Sequence, residues 1–268
     1  MGTKIPVRKI AIANQKGGVG KTTTTINMSY QMAQQGYKVL VIDLDPQGNA
    51  TSGFGIDRRE LASSMYHTLV SKVSMKQVIV KTGHPRLDLA PASLDLAGAE
   101  VEMINLPDRE FCLKQAFAEI EEFYDVIFID CPPSLGILTV NAFSAVDGII
   151  VPVQCEYYAL EGLGQLMQTY AMVQEHLNRE LKVIGAILTM FDGRTNLAKE
   201  VVSEVRRFFG EQIFDTIVPR NVRLAEAPGF GQSIFEYDAG SIGARAYRLL
   251  AEELARRIDP SATRSQEG

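Results

Sequence analysis

The stretch Ile10–Thr25, IAIANQKGGVGKTTTT, constrains the fold of this chain more than any other. Its first apolar residues, Ile10–Ala13, read as a short buried strand, and Lys21–Gln35 reads as a helix. Between them stand Gly17, Gly18 and Gly20. A glycine loop in that position lets backbone N–H groups turn inward around an anion, and the start of the helix adds its partial positive charge. Lys21 supplies a mobile cation for outer phosphates, and the hydroxyl of Thr22 suits a bound Mg²⁺. The segment from Lys16 through Gly17, Gly18, Val19, Gly20, Lys21, Thr22 and Thr23 therefore reads as a phosphate cradle.

The usual spacing, G-x-x-x-x-G-K-[ST], wants glycine at the position of Gln15. This chain instead opens the loop with a second lysine, Lys16.

Apolar runs with strand character recur at Lys38–Asp43, Leu87–Ala90, Asp125–Asp130, Gly148–Val153, Val183–Leu188 and Ile213–Val218. Pro152, inside one of them, predicts a bulge or a place at the sheet periphery. Helical patterns cover Leu94–Ile104, Glu110–Glu122, Asn196–Phe209 and Ile242–Ile258, with a shorter helix near Glu60–Val70. Leu160, Leu163, Leu166, Met167, Tyr170, Val173 and Leu177 keep the spacing of one buried helical face. In the last helix Tyr247, Leu250, Leu254 and Ile258 form the apolar stripe. Strands alternating with helices predict an α/β fold: a single doubly wound, mostly parallel sheet with helices on both faces. No linker divides the chain, so residues 1–258 read as one domain and 259–268 as a polar tail. Ligands of such sheets lie beyond the carboxyl ends of the strands. The acids Asp43, Asp45 and Asp130 all fall there. Asp130 follows four apolar residues, the Walker B pattern of an acid that binds Mg²⁺ directly or through water. Asp45 lies just past its strand, suited to orient an attacking water.

The net charge of −5 excludes a chain that is basic throughout. The charge is uneven: residues 181–268 hold 12 basic and 12 acidic side chains, so the earlier part carries the excess. Cys112, Cys131 and Cys155 are widely spaced, as are His67, His84 and His176. That pattern predicts buried thiols in a reduced cytoplasmic compartment, not a cluster of soft metal ligands. The first residues lack the apolar core of a signal peptide, and no run of about 18 apolar residues occurs, so neither secretion nor membrane spanning is expected.

The two-lysine loop resembles the deviant Walker A motif of the ParA/MinD class of ATPases. The segments DLDPQGNAT (Asp43–Thr51), FIDCPPSLG (Phe128–Gly136), TMFDGRTNL (Thr189–Leu197) and VPRNVRLAEAP (Val218–Pro228) extend the resemblance, over nearly the whole chain, to ParA/Soj-type partition ATPases. It implies a P-loop fold with ATP or ADP and Mg²⁺ as ligands and slow ATP hydrolysis. It further implies a face-to-face homodimer formed around two nucleotides, and binding of double-stranded DNA without sequence preference. The implied partner is a ParB/Spo0J-type centromere-binding protein that stimulates hydrolysis, and the implied location is cytoplasmic, on the nucleoid. By the same resemblance Lys16 reaches across the dimer and Lys21 serves the cradle. Thr22 holds Mg²⁺, Asp45 activates water, and Asp130 is the Walker B acid. Met190, Pro219, Arg220 and Asn221 fall in the adenine-contacting region. Arg194, Arg220 and Arg223 fall in segments tied to DNA binding. The long N-terminal extension of some plasmid members is missing, so autoregulation at an operator is not expected.

Three other readings share the cradle. A MinD-like membrane ATPase needs a terminal amphipathic helix, whereas here Asp259-Pro260 and a polar tail follow the last helix. An iron–sulfur reductase needs paired cysteines at the dimer interface. A nucleotide-binding adaptor without turnover has no use for Thr22 and Asp45 together.

Overall fold

A computed structural model describes residues 8–156 and 161–258. Leu160 of the predicted stripe and the polar tail 259–268 lie outside the described residues. The strands are β1 (Arg8–Ile12), β2 (Val39–Asp43), β3 (Val80–Lys81), β4 (Leu87–Ala90), β5 (Val126–Asp130), β6 (Gly148–Gln154) and β7 (Lys182–Thr189). They form one sheet in the order β3-β4-β2-β5-β1-β6-β7. Every neighbouring pair is parallel except β3 with β4.

Side chains alternate across a strand, and here the alternation divides two cores. Ile10, Ile12, Val39, Val41, Val126 and Phe128 face the side covered by the helices Lys21–Gln34 and Ile242–Ile258. Ala11, Leu40, Ile42, Ile127, Ile129 and Val151 face the other side. That side is covered by the helices Met65–Leu69, Leu96–Glu102, Cys112–Phe117, Ile137–Ala145, Glu161–His176 and Asn196–Phe209. Strands buried on both faces need apolar residues at every position, which is why they read as unbroken runs in the sequence. The doubly wound sheet expected from that pattern is the one observed. Tyr247, Leu250, Leu254 and Ile258 are buried in the core, so the stripe of the last helix is already occupied. Among the described residues no helix is long and apolar enough to cross a membrane.

Several expectations are corrected. Ile213–Val218 is not a strand; single bridges join Ile213 to Ala186 and Pro219 to Phe191. The N–H groups of Asp215 and Thr216 turn instead to the carboxylate of Glu253, at 2.9 and 3.3 Å, which prevents a continuous ladder with β7. The long helices expected over 94–104 and 110–122 are short α-helices flanked by 3₁₀ turns, and the one near 60–70 is a 3₁₀ turn followed by Met65–Leu69. Ile137–Ala145, where the sequence pattern predicts no element, is a helix. Pro152 sits inside β6, in register with Ile187, and the register shift falls earlier, between Ile149 and Ile150. Pro152 is tolerated because β1 has left the sheet: its last ladder contact to β6 is the Ala13 N–H donating to the Ile150 carbonyl.

Candidate active site

The carboxyl ends of β1, β2 and β5 meet at the cradle. Asp43 and Asp130 are register partners at the tips of β2 and β5. The loop after β1 turns through Gly18 (φ +74°) and Gly20 (φ +92°), backbone conformations that side chains disfavour. Gly20 precedes the helix Lys21–Gln34 and provides no side-chain cap. The first bond of that helix runs from Thr24 N–H to the Gly20 carbonyl. The earlier N–H groups of its first turn are thus left to face an anion. This helix opens with four threonines, poor helix formers, and is held by packing: Ile26, Met28, Met32 and Ala33 are all buried.

Lys21 is 7 % exposed, and its ammonium donates to the Lys16 carbonyl at 3.4 Å. Burial lowers its pKa, while the nearby carboxylates of Asp130 and Asp45 work to raise it. Asp130 is fully buried. Its two oxygens accept hydrogen bonds from Thr22 Oγ1 at 2.7 Å and Thr25 Oγ1 at 3.0 Å. Burial, reinforced by the charge of Asp43, pushes the Asp130 carboxyl up to about 8. Burial also raises Asp43, to about 6, against bonds from Thr51 and the Asp45 N–H. Those bonds, from Thr51 N and Oγ1 and from Asp45 N, saturate Asp43 and make it an anchor for the 44–51 turn. Asp45 remains at the cavity wall, accepting from the Gln47 N–H at 2.9 Å.

A cleft of about 510 Å³ is lined by Gly17, Gly18, Gly20, Lys21, Thr22, Asp45 and Pro228, among others. A second cavity of about 280 Å³ is lined by Met190, Val218, Pro219, Arg220, Asn221, Leu224 and Tyr247. Gly20, Thr23 and Met190 line both, so the two adjoin. The first suits phosphates and the second, largely apolar, suits a planar base. Met190 adopts a left-handed conformation, φ +52°, where β7 ends. A buried lysine with one weak acceptor fits a polyanion. Buried acids with raised pKa values beside a threonine hydroxyl fit a hard divalent cation.

Of the residues singled out in the sequence, Gly17, Gly18, Gly20, Lys21, Thr22, Thr23 and Asp45 line the cleft and Met190 and Pro219–Asn221 the adjoining cavity, while Asp130 is buried behind Thr22 and Val19 is buried in the loop. Lys16 opens the loop but lines neither cavity; its side chain is about one-third exposed, with the ammonium 4.0 Å from Glu156. The three arginines lie on the exposed surface in ion pairs. Arg194 pairs with Asp192 at 2.6 Å, Arg220 with Glu156 at 3.1 Å, and Arg223 with Glu226 at 3.0 Å and Asp238 at 3.7 Å. Cys112, Cys131 and Cys155 are buried and free. Sequence reasoning missed Thr25, although it lies three residues after Thr22 on the same helical face, a spacing that pairs side chains. It also missed Thr189, whose hydroxyl donates to the Val19 carbonyl at 2.8 Å from a strand distant in sequence.

A family profile described as AAA domain matches residues 7–183. The chain is 50 % identical over 246 residues to the sporulation initiation inhibitor protein Soj of Bacillus subtilis, covering 92 % of this chain and 97 % of that protein. It is 49 % identical over 257 residues to the chromosome partitioning protein ParA of Myxococcus xanthus, covering 96 % and 91 %. The fold matches a crystal structure described as cobyrinic acid a,c-diamide synthase from Mycobacterium smegmatis with bound ATP analog and magnesium. That match has a TM-score of 0.83 and 38 % identity, covering 93 % of this chain and 95 % of the other. A two-lysine loop, a buried strand-end acid that accepts bonds from Thr22 and Thr25, and above all near-full-length identity to these proteins go together: the chain belongs to the Soj/ParA family of chromosome-partitioning ATPases.

Proposed function

We propose that this protein binds ATP with Mg²⁺ and closes into a homodimer around two nucleotides. In that form it holds double-stranded DNA without sequence preference, until hydrolysis, stimulated by a ParB/Spo0J-type protein, releases it. Its place is the cytoplasm, on the nucleoid. One observation carries the reading: the cradle has two lysines with opposite settings. Lys21 is buried at the cleft, while Lys16 is about one-third exposed, lines neither cavity and stands only 4.0 Å from Glu156. A cradle lysine serves its own nucleotide. A lysine at the rim is available to a second nucleotide brought face to face with the first, where it offsets the repulsion between two triphosphates.

In this reading the loop N–H groups and Lys21 bind the phosphates, and Met190 with Pro219–Asn221 encloses the base. Thr22 and Asp130 would hold a magnesium ion, which would neutralise charge on the phosphate oxygens. Asp45 orients a water for attack on the terminal phosphorus. The bond to the bridging oxygen breaks, and ADP leaves with inorganic phosphate. Arg194, Arg220 and Arg223 meet DNA phosphates after exchanging their intramolecular carboxylates for them.

The test is sedimentation and a gel shift on random duplex DNA with ATP, with ADP, and without nucleotide. Dimerisation and DNA retention with ATP alone are expected, with retention falling steeply as salt rises. A monomer in ATP, or equal retention in all three states, refutes the proposal.

A further inference from the structure

We propose that Asn14 is a positioning residue for Lys16, tying the mouth of the cradle to β6 so that the rim lysine meets its target. Asn14 is 3 % exposed. Its amide nitrogen donates to the Pro152 carbonyl at 2.7 Å, and its amide oxygen accepts from the Lys16 N–H at 3.0 Å. The two partners fix the orientation of the amide, since a carbonyl needs a donor and an N–H needs an acceptor.

The arrangement follows from the end of the β1–β6 ladder. The Ile150 carbonyl takes the last backbone bond, from Ala13. Two residues on, the Pro152 carbonyl points the same way, toward a strand that has already left, and proline offers no N–H to continue the pairing. The Asn14 side chain fills the ladder position that the backbone vacates, and its oxygen captures the amide of Lys16. Asn14 lines neither the phosphate cleft nor the base cavity. The other rim of the loop has its own strut, from Thr189 to the Val19 carbonyl. Asn14 therefore acts at the side of the loop from which Lys16 departs.

This inference rests on the cross-dimer role proposed for Lys16, and the experiment separates the two. Asn14→Ala, Asn14→Asp, Lys16→Ala and the double variant Asn14→Ala/Lys16→Ala are compared. The readouts are ADP affinity, ATP-dependent dimerisation by light scattering, and kcat with KM. Asn14→Ala is expected to keep ADP affinity within about threefold of wild type and to lose kcat and dimerisation by about tenfold or more, because the chemistry tolerates little misplacement. The double variant is expected to be no worse than Lys16→Ala, since both changes remove one function. Asn14→Asp retains the acceptor for Lys16 but faces Pro152 with a carboxylate. Lowering the pH protonates it into a donor, so dimerisation relative to wild type recovers for Asn14→Asp and not for Asn14→Ala. This isosteric variant also serves if Asn14→Ala does not fold.

A parallel loss of ADP affinity makes Asn14 a prop for the whole cradle and overturns the proposal, as do additive losses in the double variant. If Lys16→Ala fails to dimerise while Asn14→Ala behaves as wild type, the positioning role alone is refuted. If Lys16→Ala dimerises normally, the cross-dimer reading falls and takes this inference with it.

Discussion

Thr25→Val removes one of the two hydroxyls that hold Asp130 and changes little else. Valine keeps the branched shape of threonine and a similar helix propensity, and position 25 is fully buried, so packing is preserved. The Thr25 hydroxyl has one proton, shared between Asp130 Oδ1 at 3.0 Å and the Lys21 carbonyl at 3.1 Å. The carbonyl bond is a local helical one of small value. The bond to a buried carboxylate is charge-assisted, and its loss costs about 2 kcal/mol. In a domain of this size that lowers Tm by about 5 °C. The cost must depend on pH. Burial raises the Asp130 carboxyl from the ordinary carboxylate value to about 8, so its contribution to stability is fully present only below that ordinary value and is lost as pH rises from there through about 8. The Thr25 bond favours the charged form and limits that loss. Melting nucleotide-free protein in a metal chelator at pH 6 and pH 9 should therefore show a small difference between variant and wild type at pH 6. At pH 9, between the wild-type value and the higher one of the variant, most of the difference should appear. An equal destabilisation at both values, or none, would refute the account of Asp130 as a buried acid whose ionised form depends on Thr25.

Two further outcomes test the proposed chemistry. Asp45→Ala gives up a single turn bond, to the Gln47 N–H, so it should fold and bind ATP with Mg²⁺ about as well as wild type. Its hydrolysis should fall by about 10²-fold or more, leaving an ATP dimer that stays longer on DNA; wild-type turnover would move the water-orienting role elsewhere. Arg194→Glu or Arg223→Glu should abolish retention on random duplex DNA while leaving ADP affinity unchanged, and full retention by either variant removes that arginine from the DNA surface.

The unbroken apolar runs of β1, β2, β5, β6 and β7 made the parallel sheet legible, because strands covered on both faces leave no polar position to obscure the pattern. The cradle was legible for a similarly local reason: glycines, two lysines and a threonine act within one turn of loop and helix. Asp45 and Asp130 could be found because each follows an apolar strand. Where a strand was expected and not formed, the cause is competition from residues distant in the chain. Ile213–Val218 has strand composition, yet Glu253, from the last helix, takes the N–H groups a ladder would use. Asp43 and Asp45 both fall at the end of β2, and the sequence shows no hydrogen-bond partner for either. Only the fold gives Asp43 to Thr51 and leaves Asp45 at the cavity wall. Pro152 reads as a defect in a strand until the departure of β1 explains how it is tolerated and why Asn14 stands beside it. Sequence alone thus determined which strands form the sheet and which glycines, lysines and acids stand at their carboxyl ends, since those groups sit on contiguous segments. The tertiary structure decided which of them are buried, which are saturated and which remain free to act, because burial and hydrogen-bond competition depend on chain segments that meet only when the sheet is assembled.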